Sequence, residues 1–133
     1  MISAVDTSVL LDVITNDAAH ADSSQKLLER AYNEGALVIS DVVYAELAPQ
    51  FDAQADLEAV LQSLSIQLVE SGADVAYLAG RRWAEYRKAG GGRARLLADF
   101  MVGAHAQLRA DRLLTRDRGF YRSYFPELRL LQD

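Results

Sequence analysis

The sequence predicts an α/β protein with a mostly parallel central sheet and helices on both faces. Three observations carry this expectation. Short apolar runs such as ISAV at 2–5 and ALVI at 36–39 have the length of strands buried on both faces. Longer stretches with helical spacing of apolar residues separate them, the alternation that builds parallel sheets. Glycine, proline and capping residues fall at the junctions.

In order, residues 2–5 form a strand ending at Asp6, and SVLLDVI from Ser8 gives a helical turn or two. Residues 19–34 are helical through Leu27, Leu28, Ala31 and Tyr32, with Gly35 where a C-terminal cap belongs. The strand at 36–39 is followed by Ser40 or Asp41, either able to cap a helix that Pro49 stops. A helix over about 52–63 and a strand at 66–69 come next. Residues 73–89 give a longer helix, closed by Gly90, Gly91 and Gly92 as a flexible joint too short to divide domains. Residues 95–110 are helical, with Leu96, Leu97, Phe100, Met101, Ala104 and Leu108 as the core-facing stripe. Strands are expected at 112–114 and 128–131.

At 133 residues the chain is expected to form one domain over 1–133. It has no cysteine, which excludes disulfides and thiolate metal sites. The N-terminus lacks a basic region and no apolar run reaches the length of a spanning helix. A soluble protein with no membrane association is expected, in the cytoplasm. The net charge of -5 is unevenly spread: residues 81–122 sum to +7 and the remainder to -12. Such a basic segment forms either a phosphate-binding surface or a set of solvated helix faces.

Sheets of this kind place ligands outside the carboxyl ends of their strands. Asp6 and Asp117 each follow a strand, where a carboxylate serves as helix cap or as catalyst. Glu46 lies on the helix after the second strand, and Asp99 interrupts the apolar run LLADFMVGAHA, where a carboxylate needs a partner. Gathered at one sheet edge, four carboxylates repel one another, and a divalent cation reverses the balance. Mg²⁺ and Mn²⁺ prefer oxygen ligands, and a metal-bound water suits phosphodiester hydrolysis. Ser8 and Thr115, each two residues from an acid, serve either as supports for carboxylates and waters or as local caps. His105 reads as a packed, hydrogen-bonded histidine and His20 as an exposed one.

Four segments in order, VDTSVLL at 5–11, SDVVYAE at 40–46, ADFMVGAHA at 98–106 and LLTRDRGFY at 113–121 with FPEL at 125–128, resemble the PIN-domain ribonucleases. Within these they resemble the VapC-type toxins of bacterial toxin–antitoxin pairs, over nearly the whole chain. The resemblance implies a three-layer α/β/α sandwich, with Mg²⁺ or Mn²⁺ held chiefly by Asp6 and Asp99. It implies that Glu46 and Asp117 complete a catalytic acidic cluster. It further implies endonucleolytic cleavage of RNA, a homodimer and a cognate antitoxin. Trp83, Tyr86, Tyr121, Tyr124 and Phe125 are the aromatic residues expected to supply the dimer surface. The segment from Gly90 to Arg95 lies outside the family pattern, and its arginines face RNA, the antitoxin or only water.

Two other strand-end acid chemistries fit less well. Phosphatases with an aspartate nucleophile resemble Asp-x-Asp at the first strand, and here the second place is Ser8. Phosphoacceptor receiver domains need a strand-end lysine, whereas Lys26 and Lys88 fall in predicted helices. A PIN fold kept purely for binding is a third alternative, disfavoured by the presence of all four acids.

Overall fold

Parallel pairing places β1 (Ile2–Val5) at the centre of a five-stranded sheet. The structure is a computed structural model that describes residues 1–92 and 95–131. From β1 the chain passes through α1 (Thr7–Ile14) and α2 (Ala21–Glu34) to β2 (Ala36–Ile39). It continues through α3 (Asp41–Leu47), a 3₁₀ turn (Ala48–Gln50) and α4 (Gln54–Ser63) to β3 (Ile66–Leu68). The helices α5 (Gly72–Lys88) and α6 (Leu97–Arg109) lead to β4 (Arg112–Leu114), and α7 (Arg118–Tyr124) leads to β5 (Leu130–Leu131).

The strand order is β3-β2-β1-β4-β5, every pair is parallel, and seven α-helices flank the sheet among the described residues. The chain therefore grows outward on one side of β1, then crosses back to grow on the other. At such a reversal, here outside the carboxyl ends of β1 and β4, open α/β sheets form the crevice in which they bind ligands. Val5 pairs with Leu114, so the residues that follow them stand side by side.

The predicted elements are all present, but several of their reasons change. Gly35 follows α2 without forming a left-handed cap. It is required because a Cβ there would stand 1.8 Å from the carbonyl oxygen of Met1. The N–H of Ala36 donates to that same oxygen at 2.9 Å, so this close crossing starts the β1–β2 ladder. The glycines after α5 fold back on it: Gly91 N–H donates to the Tyr86 carbonyl and Tyr86 Oη to the Gly92 carbonyl. Arg93, in the same segment, lies outside the described residues.

The stripe expected on α6 is displaced. Leu96, Leu97 and Leu108 are exposed, and the buried side is Phe100, Val102, Gly103, Ala104, His105 and Ala106. Small residues let α6 approach the sheet, and a Cβ on Gly103 would meet the Phe125 ring at 2.5 Å. Phe100 anchors an aromatic cluster with Tyr86, Phe120, Tyr124 and Phe125, its ring 5.1 Å from that of Phe120 and edge-on to it. Tyr86, Tyr121 and Phe125 are thus core residues rather than a dimer surface, and Trp83 and Tyr124 pack partly buried against them.

Candidate active site

Asp6 leaves β1 with its N–H still donating to the Leu114 carbonyl at 2.9 Å, which fixes its position against β4. It is the N-cap of α1: Oδ1 accepts the Thr7 N–H at 2.8 Å. The cap does not use up the carboxylate. Oδ2 accepts the Thr115 hydroxyl at 2.7 Å, and the phenolic oxygen of buried Tyr121 stands 3.5 Å from the same atom.

Thr7 joins Asp6 to a second acid. Its hydroxyl donates to Glu46 Oε1 at 2.7 Å, which brings the otherwise exposed Glu46 of α3 to the mouth of the crevice. Asp99 sits in the first turn of α6, where Oδ2 accepts the Leu96 N–H at 3.0 Å. The partner required by its apolar surroundings is thus a helix-terminal amide, favourable also to the helix dipole. Asp117 holds the N-cap position of α7 without a side-chain cap bond. Its N–H donates to Thr115 Oγ1 at 3.0 Å and its carboxylate pairs with Arg95.

The electrostatics tie these groups together. Burial raises the Asp6 carboxyl from 3.8 to about 6, and the charges of Glu46 and Asp99 push the same way. The hydrogen bonds from Thr115 and Thr7 oppose this. Tyr121 is raised well above its ordinary value by burial and then by Asp6, Asp99 and Asp117, against the opposing charge of Arg95. The four predicted acids therefore all act on Asp6 or on the hydroxyl beside it. Thr115 stands where a supporting residue was expected. Ser8 does not contact an acid, and its buried hydroxyl has no hydrogen-bond partner among the described residues.

Sequence reading missed Thr7 and Tyr121 as site residues, and it named Arg95 as a contact candidate without its pairing to Asp117. Tyr121 lies four residues beyond Asp117, so helical spacing put both on one face of α7, a signal open to use. Arg95 and Asp117 are 22 residues apart, and no local pattern joins them. Also unforeseen was the buried carboxylate of Asp12, which accepts from Ser24 Oγ at 2.6 Å and pairs with Arg116 in the loop carrying Thr115 and Asp117. His105 is buried, with Nε2 at 2.7 Å from the Val69 carbonyl, the packed role expected of it.

The donors of the crevice are carboxylate and hydroxyl oxygens, the chemistry that suits Mg²⁺ and Mn²⁺. Among the described residues no three acidic or imidazole side chains close into a cage. An arrangement held by one or two carboxylates with several retained waters fits such a site.

Solved structures of other proteins share this fold. VapBC2 of Rickettsia felis, bound to a DNA fragment from its promoter, has 24% identity and a TM-score of 0.74 over 100% of both chains. VapBC-1 of nontypeable Haemophilus influenzae has 20% identity and a TM-score of 0.73, covering 99% of this chain and 98% of that one. VapC20 of Mycobacterium tuberculosis, a toxin that cleaves the sarcin–ricin loop, has 18% identity and a TM-score of 0.66, covering 96% and 98%. No curated relative matches the chain significantly. The model of the PIN domain matches residues 4–126, a span that contains every strand-end acid described above, and the chain belongs to the PIN domain family.

Proposed function

We propose that this chain is a Mg²⁺- or Mn²⁺-dependent endoribonuclease, the toxin of a toxin–antitoxin pair, acting as one domain over residues 1–133. The observation that carries this reading is Asp6. It stands at the crevice between β1 and β4, raised to about 6, with the charges of Glu46 and Asp99 bearing on it. The structures that share this fold, VapBC2, VapBC-1 and the sarcin–ricin loop cleaving toxin VapC20, support the choice of substrate and partner.

In this reading Asp6 and Asp99 hold the ion, and Glu46 and Asp117 complete the acidic cluster. When bound, the ion supplies an activated water and stabilises charge on the phosphodiester. The chain's own residues do the positioning. Thr7 aligns Asp6 and Glu46 through its N–H and its hydroxyl. Thr115 holds the second oxygen of Asp6 while accepting the N–H of Asp117. Tyr121 stays a neutral phenol, so it donates a proton to a hydrogen bond without adding charge.

The test is incubation with total cellular RNA, with and without Mg²⁺, and mapping of the new ends. Mg²⁺ at about 100 times its dissociation constant should stabilise the fold by roughly 2.7 kcal/mol. Asp99→Asn should reduce that stabilisation and abolish cleavage while leaving the metal-free fold intact. Full activity in this variant would remove the claim.

We extend the proposal to two partners. A homodimer is supported by Tyr77, Leu96, Leu97 and Leu108, exposed on or just before α5 and α6, which pack together. Light scattering that finds only monomer would count against it. The antitoxin is expected to co-purify from the native host as a small protein in the cytoplasm. Its absence, together with normal growth on ectopic expression, would leave a nuclease without a toxin role.

A further inference from the structure

Arg95 carries an inference that rests on the nuclease reading and deepens it. Its guanidinium pairs with Asp117 and lies over the Phe120 ring, 4.5 Å from the centroid. The charge of Asp99 also bears on it. An arginine is thereby held inside a group of carboxylates that must receive a phosphate. Four acids repel an RNA backbone, and one divalent ion offsets only part of that charge.

We propose that Arg95 is a substrate-contact residue that exchanges Asp117 for a phosphate of the bound RNA, so that Asp117 is the arginine's holding partner and not a metal ligand.

Three features support the exchange. Both side chains of the pair keep about a third of their surface exposed (31% and 38%), and ion pairs that open to water contribute little, so parting them costs little. Among the described residues Asp117 is the one hydrogen-bond acceptor of Arg95, which leaves most of its five N–H donors for a phosphate. Phe120 is buried, so the ring keeps the guanidinium in place when Asp117 lets go. Asp117 itself is tied through its backbone to Thr115, so its carboxylate is the part that swings free.

The experiment measures binding of a short fluorescein-labelled single-stranded RNA across a salt series, with Asp99→Asn as the background to prevent turnover. Adding Arg95→Ala should weaken binding about tenfold and make the slope of log K against log salt shallower by about 0.7, one phosphate contact. Arg95→Lys should restore the slope but only part of the affinity, because it keeps the charge and loses the planar fork. Asp117→Asn should tighten RNA binding by freeing the arginine. In the otherwise unaltered chain, Asp117→Asn should leave the Mg²⁺-induced rise in melting temperature as it was. Unchanged affinity and slope in Arg95→Ala, or loss of the Mg²⁺ response in Asp117→Asn, overturns the proposal while the nuclease reading stands. If the unaltered chain cleaves no RNA with Mg²⁺, the nuclease reading fails and this proposal with it.

Discussion

The hydroxyl of Thr115 reaches across the sheet switch to donate to Asp6 Oδ2 at 2.7 Å, joining residues 109 apart in sequence. It also accepts the N–H of Asp117, so one hydroxyl fixes a carboxylate and the start of the next loop. The two residues meet because Val5 and Leu114 are paired in the β1–β4 ladder.

Removing that hydroxyl should cost activity more than stability. Thr115→Ala is expected to lower cleavage by one to two orders of magnitude, the range for lost support of a metal-site carboxylate. It should change fold stability by about 1 kcal/mol, the usual worth of one hydrogen bond. Thr115→Ser should recover most of the activity. A Thr115→Ala enzyme with full activity would show that Asp6 needs no such support.

The pH dependence of the metal-free fold follows from Asp6. Its folded value is raised from 3.8 to about 6, so between those limits the folded state binds more protons than the unfolded state. Stability from this group is present below about 4 and is lost as pH rises through about 6, up to about 3 kcal/mol. Urea unfolding in chelator across that window should show the decline, and Asp6→Asn should flatten it. His105 acts in the opposite direction: burial lowers its pKa, so its share of stability is lost as pH falls below the ordinary histidine range.

The Asp12–Arg116 pair should respond asymmetrically. Asp12 is 4% exposed, whereas the Arg116 side chain is 38% exposed. Arg116→Ala strands a buried carboxylate that keeps, among the described residues, the hydroxyl of Ser24 as its side-chain partner, and should cost about 3 kcal/mol. Asp12→Asn leaves an arginine that can turn to water and should cost about 1 kcal/mol. Equal losses by thermal unfolding would contradict this account.

Gly103→Ala tests how closely α6 packs. Its new methyl would press on the Phe125 ring at 2.5 Å, and overpacking of this kind costs about 1–3 kcal/mol. Phe125→Leu in the same chain should return part of the loss. If Gly103→Ala proves neutral in denaturant unfolding, α6 has room to move off the sheet.

Some features were set by local chemistry and could be read directly. The apolar runs at 2–5, 36–39 and 112–114 are strands because period, length and flanking caps agree, and Asp6 caps α1 as its position demands. The four acids lay at strand and helix ends in the sequence itself. The α6 stripe was misread because helical spacing marks which residues share a face, not which face meets the sheet. The small residues Gly103, Ala104 and Ala106 permit the closer approach, so they are buried while Leu97 and Leu108 are left outside. The +7 segment was equally ambiguous. Among the described residues five of its cations, Arg82, Arg95, Arg109, Arg112 and Arg116, form ion pairs, each with an acid 22 or more residues away. A charge sum along the chain cannot see such pairing. The elements and the acids at their ends follow from local sequence, because caps and periodicity act over a few residues. Which hydroxyls and arginines meet those acids depends on the folded chain, because the β1–β4 pairing and the docking of α6 and α7 bring together groups that share no local pattern.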